Sequence, residues 1–343
     1  MHHTKKQSKK SFVIFVITVI LSITSTVSAN AATDKKYIPG GMPFGAKIYC
    51  DGLIISMFTD PSDLGCEKNP SVNGGLKCGD VIKCINGRTI RQPSALADII
   101  DSSNGEPLNI SVVRDGKEET FKVKPVKCPD GKYRIGINVR DTMAGIGTVT
   151  FISCDSGAFG GLGHGICDPY TSDVIPIQRG STNEVKINNI VKGTDGKPGE
   201  IRGSFMSGRT GTLLKNTECG VFGIFSSVPS GKTPLSTADL TEVKTGNATI
   251  LCTLDNEGVK SYTIEIESID KDASSNTKNF HIKITDKELL EKTGGIIQGM
   301  SGSPIIQNGM LVGAVTHVMV NDPQRGYGIY IGNMLKEVPA LLT

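Results

Sequence analysis

The hydrophobic pattern of the chain changes character twice. Residues 12–23, FVIFVITVILSI, form one nearly unbroken apolar run. Beyond residue 45 the apolar stretches become short, and AKIYC (46–50), GLIISMF (52–58) and DVIKC (80–84) alternate or cluster as strands do. Between them, FTDPSDLGCEKNPSVNGG (58–75) is a polar insertion rich in turn residues, and Asn86-Gly87 closes the strand over 80–85. PSALADIIDS (93–102) spaces its apolar residues at helical intervals, with Ser94 as the expected N-cap, and predicts a helix. LNISVVRDGKEETFKVKPV (108–126) predicts a hairpin turning at Asp115-Gly116.

From YRIGINVRDTMAGIGTVTFIS (133–153) onward the rhythm is again that of strands. VKINNIV, GVFGIF, ATILCTL, SYTIEIESI and FHIKIT are separated by Gly, Asn and Asp, which predicts an all-β sandwich or barrel. DKELLEKT (286–293) predicts a short helix with Asp286 at its start. With 343 residues, the chain is long enough for two domains and a leader, and its 41 glycines favour turns and short strands over long helices.

Charge sharpens the reading of the apolar run. Lys5, Lys6, Lys9 and Lys10 precede it, and SANA (28–31) follows, the order of a secretory signal ending near Ala31. No charge occurs between Ser11 and Thr33, so an uncleaved membrane anchor is the alternative. Four lysines and no acids precede Ala32, so 33 basic and 34 acidic residues follow, a formal charge of −1. That balance gives no footprint for a nucleic-acid partner. Nine cysteines are present, none in CxxC spacing, so no zinc site is expected and no disulfide pairing is assigned.

Few residues are left to do chemistry. His2 and His3 lie in the leader, and His281 alternates with Lys283 and Thr285 as a solvated strand residue. His317 ends a strand, where it either packs or borders a cleft. His164 stands in FGGLGHGICD among four glycines, which admit close backbone approach and unusual dihedrals around an imidazole base. Ser301 lies in GMSGSP, where Gly299 allows a tight turn and Pro304 sends the chain out extended from Ser303. A serine nucleophile needs a base for its proton and N–H donors for the oxyanion, here Gly299 and Ser301. Met300 is the least critical residue of the turn. Read from the residues alone, a loop histidine and a corner between strands fit as well.

Three resemblances change the weighting. PFGA, GLIISMF and GLKCGDVIKCINGRTI, in that order, resemble a PDZ domain over about 90 residues. That resemblance implies a peptide groove whose carboxylate loop is Pro43, Phe44, Gly45 and Ala46. GMSGSP, followed by the Asn308-Gly309 hairpin, resembles the nucleophile turn of chymotrypsin-like serine proteases. AGIGTVTF, FGGLGHGICD, ITDKELLEKTGGIIQGMSGSPIIQNGMLVGAVTHV and GYGIYIGNML resemble the stage IV sporulation protein B peptidases across nearly the whole exported chain.

The expected fold is therefore mainly β: a leader or anchor (1–31), an α+β PDZ domain (37–127) and a chymotrypsin-like double β-barrel (135–343). By position, the family resemblance makes His164 the base, Ser301 the nucleophile and Asp286 the third member, with Asp155 and Asp168 as competitors for orienting His164. An N-cap role would equally explain Asp286. Cys167 departs from the family pattern and is read as structural. No cofactor or metal is expected. The resemblance implies an exported, self-processing serine endopeptidase, released between forespore and mother cell. Its implied target is a membrane-bound sporulation regulator, whose cleavage frees an intramembrane protease that activates a late sigma factor. The PDZ ligand is expected to be the chain itself or a protein C-terminus. Two rivals remain: a non-catalytic PDZ scaffold, and a serine–lysine tail-specific peptidase using Lys287 or Lys292.

Overall fold

The computed structural model of the chain describes residues 35–169, 171–271 and 277–338; the expected leader lies outside the described residues. Twelve strands form two closed barrels. The first contains β1 (Pro43–Phe58), β2 (Ile137–Ser153), β3 (Ala158–Gly161), β4 (Ile177–Val191), β5 (Glu200–Thr217) and β6 (Gly220–Phe225). Antiparallel pairing runs β1-β2-β3-β6-β5-β4 and returns from β4 to β1, closing the ring.

The second contains β7 (Gly246–Cys252), β8 (Lys260–Ile269), β9 (Phe280–Ile284), β10 (Pro304–Gln307), β11 (Met310–Met319) and β12 (Asp322–Tyr330). Its pairing runs β7-β8-β9-β12-β11-β10 and back to β7. The two rings thus share one connectivity. No sequence repeat announces it, because alternation specifies a buried face and not which strand lies alongside.

Each barrel buries its alternate positions. Ile48, Val149, Phe159 and Val221 fill the first, and Ile250, Ile264, Phe280, Ile282 and Ile305 fill the second. The closed rings leave no long unpaired edge to template aggregation.

Strand pairing departs from the expected division at residues 127–135. The first half of β1, through Tyr49, pairs with both β2 and β4 inside the first barrel. The chain then bulges near Gly52, and Leu53 and Ile54 pair with Val81–Ile85 of the PDZ sheet. The PDZ unit is therefore threaded between β1 and β2, and those two strands run through both bodies. It has its own core, with Leu53, Ile82, Leu96, Ile100, Ile110 and Val123 buried together. The hairpin at Asp115-Gly116 forms as expected, pairing Leu108–Arg114 with Lys117–Val123. The helix α1 (Pro93–Ser102) also forms, but it starts at Pro93 after Gln92, and Ser94 sits inside it. Proline suits the first helical position because its missing N–H would have no partner there.

Candidate active site

The turn carrying Ser301 lies between the barrels. Gly299 (φ 99°) and Gly302 (φ 95°) take left-handed backbone conformations that side chains resist. At Gly302 the requirement is also steric: a Cβ would sit 2.0 Å from the Thr148 oxygen and 2.4 Å from the Leu162 nitrogen. This turn therefore packs directly against the strand and loop that lead to His164.

Every carbonyl from Gln298 to Gly302 is held. Gln298 O accepts from Ile201 N at 2.8 Å, Met300 O from Ser303 N at 2.9 Å and Ser301 O from Thr148 N at 2.9 Å. Gly299 O accepts from Thr148 Oγ1 at 2.7 Å, and Gly302 O from Thr150 Oγ1 at 2.8 Å. The N–H groups of Met300, Gly302 and Ser303 are likewise used. Those of Gly299 and Ser301 make no hydrogen bond among the described residues. Two fixed donors without acceptors, flanking a serine hydroxyl, have the form of an oxyanion hole.

The Ser301 hydroxyl donates to Thr316 O at 2.7 Å. Its neighbour Met300 is fully buried in the second barrel. Ser303 is also buried, and its Oγ has no hydrogen-bond partner among the described residues. Ser303 is thus a backbone element of the exit strand, as its position before Pro304 suggests.

The histidine loop meets the same junction. Gly163 N bonds Gly161 O at 2.9 Å across Leu162, whose φ of 67° is unusual for a branched side chain. Such a three-residue turn stores strain of about 1–3 kcal/mol, which must be held by packing. Here Leu162 N bonds Thr148 O at 3.2 Å, and a Cβ on Gly163 would meet Thr316 Cγ2 at 2.9 Å.

His164 Nδ1 lies 2.9 Å from Gly165 O. A carbonyl only accepts, so Nδ1 carries the proton and Nε2 presents its lone pair. Burial lowers the His164 pKa from its ordinary value, against the opposing effect of the Gly165 carbonyl. His317, one residue beyond Thr316, stacks obliquely on His164 with ring centroids 4.8 Å apart. Burial, the His164 ring and Lys278 push the His317 imidazole down to about 4. Both rings are therefore neutral near pH 7. They line a cleft of about 740 Å³ with Leu162, Cys167, Glu218 and Thr277.

Asp286, expected to orient His164, is elsewhere engaged. It caps α2 (Lys287–Thr293), with Oδ1 accepting from Leu289 N at 3.0 Å and Oδ2 from Thr263 N at 3.2 Å. Its place before a short helix serves the unsatisfied N–H groups there. Asp168 is buried and accepts from Thr171 N within its own loop at 3.2 Å. Asp155 is exposed in the turn after β2. The partner at Nδ1 is the Gly165 carbonyl, which sequence reasoning missed because a backbone oxygen leaves no residue signature. Cys167, exposed to the cleft, donates weakly to that same oxygen at 3.6 Å, and its pKa is raised by desolvation and by Asp173 and Glu218. All nine cysteines are unpaired.

The peptide groove of the PDZ unit also lies elsewhere than expected. Pro43, Phe44, Gly45 and Ala46 are barrel residues paired to Thr148, Gly147, Ile146 and Gly145, with Phe44 and Ala46 buried. The groove runs between α1 and residues 132–139, about 420 Å³ lined by Pro93, Leu96, Ala97, Ile100, Ile137 and Val139. Along it, the outer edge of residues 137–139 pairs with no strand among the described residues, and the N–H groups of Ile135 and Gly136 have no acceptor there. Consecutive free N–H groups at the end of an open strand edge suit an extended peptide and its carboxylate. YRIGI (133–137) carried that signal, but it reads equally well as an ordinary strand.

Two β-barrels with a serine turn and a histidine loop at their junction, joined to a PDZ unit, form the architecture of a double-barrel serine peptidase. Residues 131–335 match the family model described as SpoIVB peptidase S55, and residues 67–114 match that of the PDZ domain. The chain belongs to the SpoIVB peptidase S55 family.

Among curated proteins, it is 43% identical over 68 residues to a Lactococcus lactis chain named as a zinc metalloprotease, LL2128, covering 20% of this chain and 16% of that one. It is 38% identical over 76 residues to a DegP-like periplasmic serine endoprotease of Bartonella henselae, covering 22% and 14%. The chain thus spans only about a sixth of the length of these curated relatives. Among solved structures, it is similar to the PDZ domain of the SdrC-like protein of Listeria monocytogenes, with 25% identity, TM-score 0.23 and coverage of 26% of this chain and 90% of that one. It is also similar to the Rv3671c protease of M. tuberculosis, with 14% identity, TM-score 0.34 and coverage of 58% and 74%.

Proposed function

We propose that Ser301 is the nucleophile, His164 the general base, and the Gly299 and Ser301 N–H groups the oxyanion hole. The observation that carries this reading is the turn at 298–302, where all five carbonyls are held and, among the described residues, only those two N–H groups lack acceptors. Ser301 Oγ leaves Thr316 O, gives its proton to His164 Nε2 and bonds the peptide carbonyl carbon. The carbonyl oxygen takes the electron pair and is held by the two N–H groups. His164 then returns the proton to the leaving amine, and water repeats the cycle on the acyl-enzyme. Gly165 O keeps the imidazole in the required tautomer.

The biological setting is part of the same proposal. Family membership and the lysine–apolar–small order of residues 1–31 support an exported or anchored, self-processing peptidase acting between forespore and mother cell. Its target would be a membrane-bound sporulation regulator, and its cut would release intramembrane proteolysis and a late sigma factor. The groove beside α1 would take an extended segment of the target or of the chain itself.

Expression of the exported part with a membrane-bound sporulation regulator, with and without Ser301→Ala, tests this. Cleavage of chain and regulator is expected only with Ser301 present. Equal cleavage by both would refute the catalytic assignment, and self-cleavage without cleavage of the regulator would refute only the target.

A further inference from the structure

Strand β2 carries two buried threonines, Thr148 and Thr150, in the otherwise apolar run TVTF. Their side chains lie on one face, two residues apart, 2% and 0% exposed. Valine would fill the same space without a buried hydroxyl to satisfy, so the hydroxyls need a polar reason. Both aim at the Ser301 turn, but at different places. Thr150 holds Gly302 O, after the nucleophile. Thr148 holds Gly299 O, inside the turn, and its own N–H holds Ser301 O.

The peptide unit between Gly299 and Met300 separates the two free N–H groups. Its orientation sets their relative direction, since each neighbouring peptide plane is joined to it through one Cα. On the Met300 side it is held by a 3.1 Å bond to Ile297 O, the longest in the turn. On the carbonyl side its one partner among the described residues is the Thr148 hydroxyl, at 2.7 Å. Gly299, without a Cβ, offers little torsional resistance to rotation of that unit. The neighbouring units are held by backbone donors, Ile201 N and Ser303 N, which no side-chain change removes.

We propose that Thr148 is a positioning residue for catalysis: its hydroxyl locks the Gly299–Met300 peptide so that both N–H groups face the oxyanion. It acts through the turn and does not touch the substrate. The same residue accepts from Leu162 N, so one strand position joins the nucleophile turn to the histidine loop. This inference rests on the reading of Ser301 as nucleophile.

The test uses the exported chain and an alkyl fluorophosphonate. Ser301 Oγ bonds phosphorus, fluoride leaves with the bonding electrons, His164 takes the proton, and the phosphoryl oxygen occupies the oxyanion hole. The labelling rate is measured for wild type, Thr148→Val, Thr148→Ser, Thr150→Val and Ser301→Ala, with thermal melting for each. Thr148→Val is expected to slow labelling by about ten-fold or more, given that loss of a whole oxyanion donor costs about a hundred-fold or more. Thr148→Ser keeps the hydroxyl and is expected to label near the wild-type rate, and Thr150→Val is expected to change the rate less than Thr148→Val.

Wild-type labelling of Thr148→Val, with Ser301→Ala unlabelled, overturns this inference and leaves the nucleophile in place. Equal slowing by Thr148→Ser and Thr148→Val also overturns it, because packing would then be the cause. If Thr148→Val does not fold, Thr148→Ala takes its place as the variant without the hydroxyl: slowed labelling beside a wild-type rate in Thr148→Ser supports the inference, and a wild-type rate in Thr148→Ala overturns it. Labelling that persists in Ser301→Ala overturns the nucleophile assignment and this inference together.

Discussion

The hydroxyl of Ser301 is bonded to the carbonyl of Thr316, not to the imidazole of His164. Ser301 thus rests on the strand whose next residue, His317, covers one face of the His164 ring. Catalytic hydrogen bonds often tighten only when substrate is bound, and rotation about one side-chain bond redirects Oγ. Ser301→Ala should therefore lose activity by about a thousand-fold or more while keeping its fold. Ser303→Ala is the informative contrast. Its buried Oγ has no partner among the described residues, so removal should leave kcat unchanged and be neutral or stabilising by up to about 1 kcal/mol. Steady-state kinetics and denaturant unfolding of the two variants check this.

The histidine pair predicts an acid limb at unusually low pH. Burial lowers the His164 pKa, so the ring stays neutral below the ordinary imidazole value of about 6.5. The logarithm of kcat/KM should fall only as pH drops through that lowered value. His317→Ala uncovers the ring and should move the limb up toward 6.5, whereas His317→Phe keeps it covered and should not. An unchanged limb in both variants would remove His317 from this role.

Stability follows the same sign. Both folded-state values lie below the unfolded one, so the unfolded chain binds more protons as the solution is acidified. The contribution is complete above about pH 6.5 and is lost as pH falls toward about 4. His317 is exposed on its cleft side, and solvent there reduces its share. Unfolding midpoints measured from pH 7 to pH 4 should decline less in His317→Phe than in wild type.

Gly302 should tolerate no side chain. Alanine there would drive a methyl group into backbone atoms of Thr148 and Leu162 and force a left-handed φ. Because the obstacles are backbone and cannot rotate away, the expected cost exceeds about 2 kcal/mol, and activity should be lost even in the folded fraction. Gly309, at the hairpin tip with open space around it, is the control: alanine there strains only φ.

Asp286 gives the sharpest disagreement with its family position. As an N-cap, Asp286→Ala should cost about 1 kcal/mol of stability and leave kcat within about two-fold. Asp286→Asn keeps the capping oxygen for Leu289 N but sets an NH2 donor against Thr263 N, so it should cost some stability and leave kcat unchanged. A folded but inactive Asp286→Asn would return the carboxylate to the catalytic group.

Parts of this arrangement were legible in the sequence for definite reasons. The alternation in SYTIEIESI and FHIKIT specifies strands with one buried face, and both form as β8 and β9. The hairpin at Asp115-Gly116 and the helix at 287–293 follow from local turn and cap chemistry. GMSGSP and FGGLGHGICD marked the two loops that meet at the barrel junction. The groove was misplaced because PFGA and YRIGI look alike as short apolar stretches with one glycine. Only pairing distinguishes them: the first is enclosed between β2 and β4, while the second leaves an edge open beside α1.

By itself the sequence determined a β-rich chain, the conformations its glycines and prolines permit, and the residue types able to do acyl transfer. Those are local properties, set by dihedral preference and by the period of burial. Tertiary structure decided that two rings share one connectivity, that the PDZ unit is threaded between β1 and β2, and that Asp286 caps a helix. It also placed Thr148 against a turn about 150 residues later in the chain. The reason is physical: a carbonyl or a carboxylate is assigned by whichever donor the folded chain brings within 3 Å, and no sequence period records that meeting.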